Sequence, residues 1–381
     1  MPVGEAADRV LAVVVVADRD DPHFDNSAMD GWAVHAEDGD AGTTLTAAGA
    51  VHAGGDVSEV VVPRGCATRI MTGAEMPRGA ALIAPVETVE TTEDANGEAI
   101  SIRLLEPAGD HVRRRGENFI AGDELLPVGS RLTAARLALC VTAGAADLQV
   151  QSRLEIAILP SGDELMPAGT PLGPGQLHES NSLALACMVE RLGHLARVLP
   201  IVGDDPDATR RALDSAADSD VILTSGGVSM GEADHIRGLM ERQGEVDFWR
   251  IRIKPGGPVM FGAWNGTPLF GLPGNPVSTQ VVFTVLVAPW LAAAQGAGTD
   301  DSSFTARRVP VVVDEPFRAA IGKRTFPRVT ILNDGQRLIA RAATHQGSGN
   351  ALSMGIADAL LDLPADTELA VGDVATALLF D

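Results

Sequence analysis

Beyond residue 154 the chain alternates short apolar runs with amphipathic stretches, the pattern of a parallel sheet covered by helices on both faces. Strand 154–159 leads to helix 182–192, strand 196–202 to helix 207–217, and strand 221–224 to helix 233–243. Extended runs 248–253, 259–261 and 269–272 precede a long apolar helix over 277–293. This order predicts a central doubly wound α/β domain over 154–298. Residues 295–303 are small and polar, the composition of a linker. Strand-like runs 309–313, 328–332, 338–341 and 374–379 then predict a small β-barrel or sandwich over 304–381.

The first 150 residues follow a different rhythm. Short β-type segments are broken by turn clusters such as Asp38-Gly39-Asp40, Gly54-Gly55-Asp56 and Asn96-Gly97, and helical periodicity is weak. Stretches 6–16 and 134–146 stand apart as helical candidates. If they pack together, the β-rich part between them is an insertion. The expected division is then a discontinuous helical and linking domain, 1–23 with 119–153, and an inserted β-rich domain, 24–118. The fold class is multidomain, α/β plus β.

Composition removes several functions. The 381 residues are 45% apolar, with 41 Gly and 23 Pro, so the chain is folded and larger than one compact domain. Fifty-one acidic against 29 basic residues, a charge of −22, argue against nucleic acid or an anionic membrane surface as partner. The longest apolar stretch, 281–294, is broken by Thr284 and Pro289 and falls short of the ~20 residues of a spanning helix. Met1-Pro2-Val3-Gly4-Glu5 lacks the charged start of a signal peptide, and Cys66, Cys140 and Cys187 are far apart. Together these point to a cytoplasmic protein without disulfides or a cysteine metal site. Only Lys254 and Lys323 among the 29 basic residues are lysines; each marks either a need for a compact ammonium or chance.

Ligands of doubly wound sheets bind beyond the carboxyl ends of the strands. The loops there read Pro160-Ser161-Gly162-Asp163-Glu164-Leu165, Gly203-Asp204-Asp205, and Ser225-Gly226-Gly227-Val228-Ser229 running on to Gly231-Glu232-Ala233-Asp234. Glu164, Asp204 and Asp234 would suit a hard cation such as Mg²⁺; otherwise they cap helices or lie solvated. Ser225-Gly226-Gly227 and Leu272-Pro273-Gly274-Asn275-Pro276 are candidate anion cradles, though neither is a nucleotide fingerprint. In the dense basic run 250–258, a strand would put Arg250, Arg252 and Lys254 on one face, either to attract an anionic substrate or as a solvated edge. Phe24-Asp25-Asn26-Ser27-Ala28-Met29-Asp30-Gly31 and Arg69-Ile70-Met71-Thr72-Gly73-Ala74 are rich in hydrogen-bonding groups, with a turn network and a hairpin as the plainer alternatives. The eight histidines show no metal spacing, and no nucleophile–base pattern stands out.

Taken in order, these motifs, extended by His345-Gln346-Gly347-Ser348, resemble the molybdopterin molybdenumtransferase family, to which the C-terminal domain of gephyrin also belongs. The resemblance implies a homodimer of four-part subunits. It implies a reaction in which adenylylated molybdopterin and molybdate, with a divalent metal, yield AMP and molybdenum on the dithiolene. Asp30 and Thr72 would enter the site of the partner subunit, and Glu164, Asp204 and Asp234 would handle Mg²⁺ and the nucleotide phosphate. Lys254, Arg328 and Ser348 would hold molybdate or the substrate's phosphate end, with Ser225, Gly226, Gly227, Arg250, Pro273, Gly274 and Asn275 also on the substrate. The molybdopterin adenylyltransferase and molybdoenzymes are the other implied partners.

Some positions depart from the family. Gly257 replaces the second lysine of Lys-Pro-Gly-Lys-Pro, Arg250 stands where Lys is common, and Asn118 replaces an acid in Gly116-Glu117-Asn118. The family's helical leader is missing before Gly4. Gly257 and Asn118 leave one alternative to an insertase, a paralogue that stores or delivers cofactor; a scaffold of the same fold is a further reading that no feature of the sequence demands. Molybdate and tungstate are not distinguished by these residues.

Overall fold

The computed structural model describes residues 1–94, 97–103, 111–228, 235–297 and 305–380. The chain forms two compact units, one of Met1–Ala7, Val13–Pro127 and Leu132–Gln149, the other of Asp8–Ala12, Val128–Arg131 and Val150–Asp381.

In the first unit a mixed six-stranded sheet runs in the order Leu82–Pro85, Gly31–Val34, Cys66–Ile70, Thr44–Val51, Gly97–Ile102, Val89–Asp94. Period-two alternation feeds two cores: Trp32, Val34 and Leu82 pack on one face, Ala33, Ile70 and Ile83 on the other. The helix expected over 6–16 is absent; only Val3–Glu5 makes a short turn of helix. Val15–Val16 pairs instead with Glu124–Leu126, as the β-branched run 13–16 favours. The second candidate does form a helix, Ala134–Thr142, capped by the Thr133 hydroxyl. Val3 donates to the Ala146 carbonyl at 3.0 Å, so the start of the chain meets the segment that follows this helix.

The second unit holds a six-stranded sheet in the order Leu195–Val198, Glu155–Pro160, Val221–Ser225, Thr267–Leu272, Met260–Trp264, Glu245–Trp249. The first four strands are parallel, as the alternation of strand and helix requires. Met260–Trp264 is antiparallel to both its neighbours: Asn265 and Gly266, both at positive φ, close a tight hairpin between Trp264 and Thr267, and Glu245–Trp249 runs again in the direction of the first four. Helices Asn181–Arg191 and Pro276–Val282 cover one face, and Pro206–Ala216 and His235–Gln243 the other.

The helical run Pro276–Ala294 has 19 residues and a mean hydropathy of 1.7, so by length and composition it would suffice to cross a membrane, beyond the expected apolar stretch. Its Val282, Phe283, Val287 and Leu291 lie in the core beside strands Glu155–Pro160 and Val221–Ser225, which accounts for the apolarity. Part of the expected linker, 298–303, lies outside the described residues. The C-terminal module is a closed five-stranded barrel, Arg308–Val313, Leu338–Ala342, Arg328–Asn333, Ala359–Asp362 and Val374–Leu379 in order. Val311, Val329, Ala340, Leu361 and Ala377 fill it.

His194, just before strand Leu195–Val198, is buried with Nδ1 unpartnered. Burial foremost, then Arg153, lowers its pKa to about 4, with Asp220 pulling the other way. The folded state therefore binds its proton later than the unfolded chain. Stability is full above the ordinary histidine range and falls as pH drops toward 4. Between pH 7 and pH 5 the loss is expected to be about 2 kcal/mol. Urea unfolding at both pH values checks this, and His194→Leu should remove most of the difference.

Candidate active site

The site is built where strand ends meet the barrel. Strand Val221–Ser225 ends at Ser225, and Gly226 and Gly227 follow at φ 96° and 70°. A Cβ on Gly226 would lie 2.9 Å from the Ser161 carbonyl oxygen, so the turn excludes a side chain there. Asn181, opening helix Asn181–Arg191, donates to Ser225 Oγ at 2.8 Å and to the Gly274 carbonyl at 2.7 Å. It thereby ties together two cradles that the sequence presents as separate. Its Oδ1 is buried without a partner. The Thr279 hydroxyl donates to the Pro273 and Asn275 carbonyls and braces the second cradle. Asn275 Nδ2 reaches Ser348 Oγ of the barrel at 3.2 Å.

The basic run does not form the expected strand. Only Ile253–Lys254 is extended, and it pairs in parallel with Arg324–Thr325. Arg250 sits at φ 73° with its guanidinium 5.0 Å from the Trp249 ring, which Arg237 also approaches at 3.7 Å. Arg250 donates its N–H to the Val259 carbonyl, and Ile251 donates to Gly257, so the run folds back as a loop. Of the three cations, Lys254 alone lines the cavity described next; Arg250 and Arg252 do not.

That cavity, about 920 Å³, lies between the α/β domain and the barrel. Gly226–Val228, Ile253–Pro258, Pro273–Asn275 and Ser278 form one wall; Glu315–Arg318, Lys323, Thr325–Arg328 and Gln346–Ser348 form the other. Ser225 lies just behind the first wall. Four cations, Lys254, Arg318, Lys323 and Arg328, face a single carboxylate, Glu315, in a chain of charge −22. The local potential opposes the global one and favours an anion.

Arg328 is 1% exposed, and Gln346 brackets its backbone, accepting from its N–H at 2.8 Å and donating to its carbonyl at 3.0 Å. Its Nε donates to Ser353 Oγ and its Nη2 to the Gly347 carbonyl. Burial lowers its pKa from the ordinary guanidinium value. Among the described residues no carboxylate pairs with it. A buried cation with only neutral acceptors is costly until an anion joins it.

The carboxylate loops lie at the same sheet edge. Asp163 Oδ1 accepts from the Asp204 N–H at 2.9 Å, and the Gly162 N–H donates to the Val202 carbonyl, so the Glu164 and Asp204 loops adjoin. Glu164 folds back over Gly162, where a Cβ would meet its Oε2 at 2.5 Å. Asp234 lies outside the described residues. Among the described residues no group of three or more His, Cys, Asp or Glu is placed to hold a metal ion. Two carboxylates on adjoining loops still fit Mg²⁺, which completes its shell with waters and substrate phosphate.

In the other unit, Asp30 and Thr72 form a pair: Asp30 Oδ1 accepts from the Thr72 N–H at 2.8 Å and from its hydroxyl at 2.7 Å. The N–H first, then the hydroxyl, holds the Asp30 carboxyl below the usual range. Sequence reasoning did not select Asn181, Gln346 or Lys323 as site residues. The scarcity of lysine was the available signal for the last of these.

Glycine cradles at strand ends and a cation-rich cavity define an α/β protein that handles an anionic small molecule. Family models match residues 1–144 (MoeA N-terminal region, domain I and II), 157–293 (Probable molybdopterin binding domain) and 310–380 (MoeA C-terminal region, domain IV). A molybdopterin molybdenumtransferase of Haemophilus influenzae is 38% identical over 90% of this chain and 84% of its own length. Molybdopterin molybdenumtransferase 2 of Mycobacterium tuberculosis is 36% identical over 98% of this chain and 92% of its own. The crystal structure of the molybdopterin biosynthesis moeA protein from Pyrococcus horikoshii superposes with a TM-score of 0.84 at 26% identity, covering 100% of this chain and 94% of that one. The chain belongs to the molybdopterin molybdenumtransferase family, transferases of molybdenum cofactor biosynthesis. These relatives do not favour a storage or scaffold role.

Proposed function

We propose that this chain transfers molybdenum from molybdate to adenylylated molybdopterin with release of AMP, as a Mg²⁺-dependent homodimer in the cytoplasm. The observation that carries the reading is the buried guanidinium of Arg328, which among the described residues pairs with no carboxylate, in a cavity that also holds Lys254. Arg328, Lys254 and Ser348 would hold molybdate. The cradles at Ser225-Gly226-Gly227 and Pro273-Gly274-Asn275 would seat the pterin's phosphate, their glycines admitting close approach of the backbone. Glu164 and Asp204, with Asp234, would hold Mg²⁺, which supplies charge neutralisation at the phosphoanhydride. Asp30 and Thr72, already joined to one another, would serve the site of the partner subunit.

In this reading no protein nucleophile is needed. Water attacks phosphorus, the anhydride P–O bond breaks and AMP leaves; the two dithiolene thiols form Mo–S bonds to molybdate as one oxo group departs as water with their protons, and molybdenum keeps its oxidation state. The protein contributes preorganised positive charge where negative charge develops. The molybdopterin adenylyltransferase would supply the substrate, and molybdoenzymes would receive the product. Purified protein given adenylylated molybdopterin and Mg²⁺ is expected to release AMP only when molybdate is present, yielding active cofactor. Binding of the pterin without release under both conditions would overturn the insertase and favour storage or delivery.

A further inference from the structure

The second lysine of the chain has no place in the reading above. We propose that Lys323 is a second ammonium of the oxyanion site, standing where the lysine missing at position 257 would otherwise act; this rests on the cavity being the molybdate site. Lys254 and Lys323 are the only lysines in 381 residues, and both line the same cavity. Among the described residues neither is in an ion pair.

The arginines around Lys323 are committed elsewhere. Arg324 grips Asp362 through Nε and Nη2, at 2.6 and 2.7 Å, and Arg318 pairs with Glu368 at 2.8 Å. The backbone at Lys323 is held by its own N–H to the Ala320 carbonyl at 3.0 Å and by the Thr325 hydroxyl on its carbonyl at 3.1 Å. It directly precedes Arg324–Thr325, the segment paired with Ile253–Lys254, so the ladder that fixes Lys254 also fixes the segment that carries Lys323.

Position 257 shows why a substitute is useful and how to test it. A Cβ on Gly257 meets only the Ile253 and Ile251 carbonyl oxygens, at 3.3 and 3.4 Å, and its φ is not in the left-handed region. The backbone dihedrals thus do not demand glycine there, and a side chain needs a shift of a few tenths of an ångström from the Ile253 carbonyl. An ammonium is a compact donor of three hydrogen bonds, suited to a tetrahedral oxyanion. It can enter the cavity from residue 257 or from residue 323.

The test is titration calorimetry of molybdate into the full-length chain, without pterin, at low ionic strength. Lys323→Ala is expected to weaken binding about tenfold, and Lys323→Ala with Gly257→Lys to recover to within about threefold of the unaltered chain. Arg337→Ala, a surface charge paired with Asp334 outside the cavity lining, is expected to stay within about twofold. An unchanged affinity in Lys323→Ala, with Lys254→Ala weakened, overturns the role of Lys323 and leaves the functional reading standing. A loss that Gly257→Lys does not restore overturns the equivalence of the two positions. No molybdate binding by the unaltered chain overturns both readings together.

Discussion

Arg328→Met is expected to cut molybdate-dependent AMP release by about 10²–10³ while leaving the chain as resistant to urea as before, or more so. The two halves of this expectation have one cause. Arg328 is buried with hydrogen bonds to Ser353 and Gly347 and, among the described residues, no carboxylate partner, so the resting protein carries the desolvation of a cation held by neutral acceptors. Methionine has similar reach and no charge, and the Gln346 bonds survive because they hold the backbone rather than the guanidinium. A function-free explanation predicts the reverse: a collapsed unfolding midpoint with activity falling in proportion. Measuring turnover and urea midpoint on the same preparation separates the two.

A second large effect is expected on stability. Asp362 is buried in the barrel strand Ala359–Asp362 and is held by Arg324 and Arg308. Burial raises its pKa, but the Arg324 and Arg308 bonds together overcome that and leave it below the usual carboxylate value. Arg324→Met takes away the bidentate partner and leaves the buried carboxylate to Arg308 alone, at an expected cost of about 2 kcal/mol. The double change Arg324→Met with Asp362→Leu removes the under-compensated charge and should recover most of that loss, as read from urea midpoints. A double variant no more stable than the single would show that Arg324 acts through packing on Phe326, whose ring lies 5.9 Å away, rather than through the carboxylate.

The parallel half of the sheet was legible because its strands are unbroken apolar runs and its helices are amphipathic, so each signal is local. Three features were not read that way. The run 13–16 is β-branched, and its pairing with Glu124–Leu126 depends on a segment more than a hundred positions away. Asn265-Gly266 is a strong hairpin signal that would have reversed the strand Met260–Trp264, had it been weighed against the βα alternation. Strand Ala359–Asp362 is only four residues long and leaves little pattern to read.

The site shows the same division. Ser225, Gly226, Gly227 and the Pro273–Asn275 turn announce themselves by composition, and the structure places the last two glycines and that turn on the cavity. Arg250 failed as a face-mate of Lys254 because its positive φ breaks the alternation on which the inference depended. Asn181 and Lys323 acquire their positions only when a helix start and a barrel edge are brought to the sheet. No local pattern carries such information.

The distribution of lysine also gives the chain an unusual covalent chemistry. Its only ε-amino groups belong to Lys254 and Lys323, and the α-amino group of Met1 donates to the Leu148 carbonyl in the other unit. An amine-selective acylating reagent therefore meets side-chain nucleophiles of that kind in one cavity and nowhere else on the protein. Fluorophores, affinity handles and crosslinkers of this chemistry reach the cavity without any engineered residue, the Met1 α-amino group being the other amine they label, and an oxyanion bound as proposed would shield the two lysines.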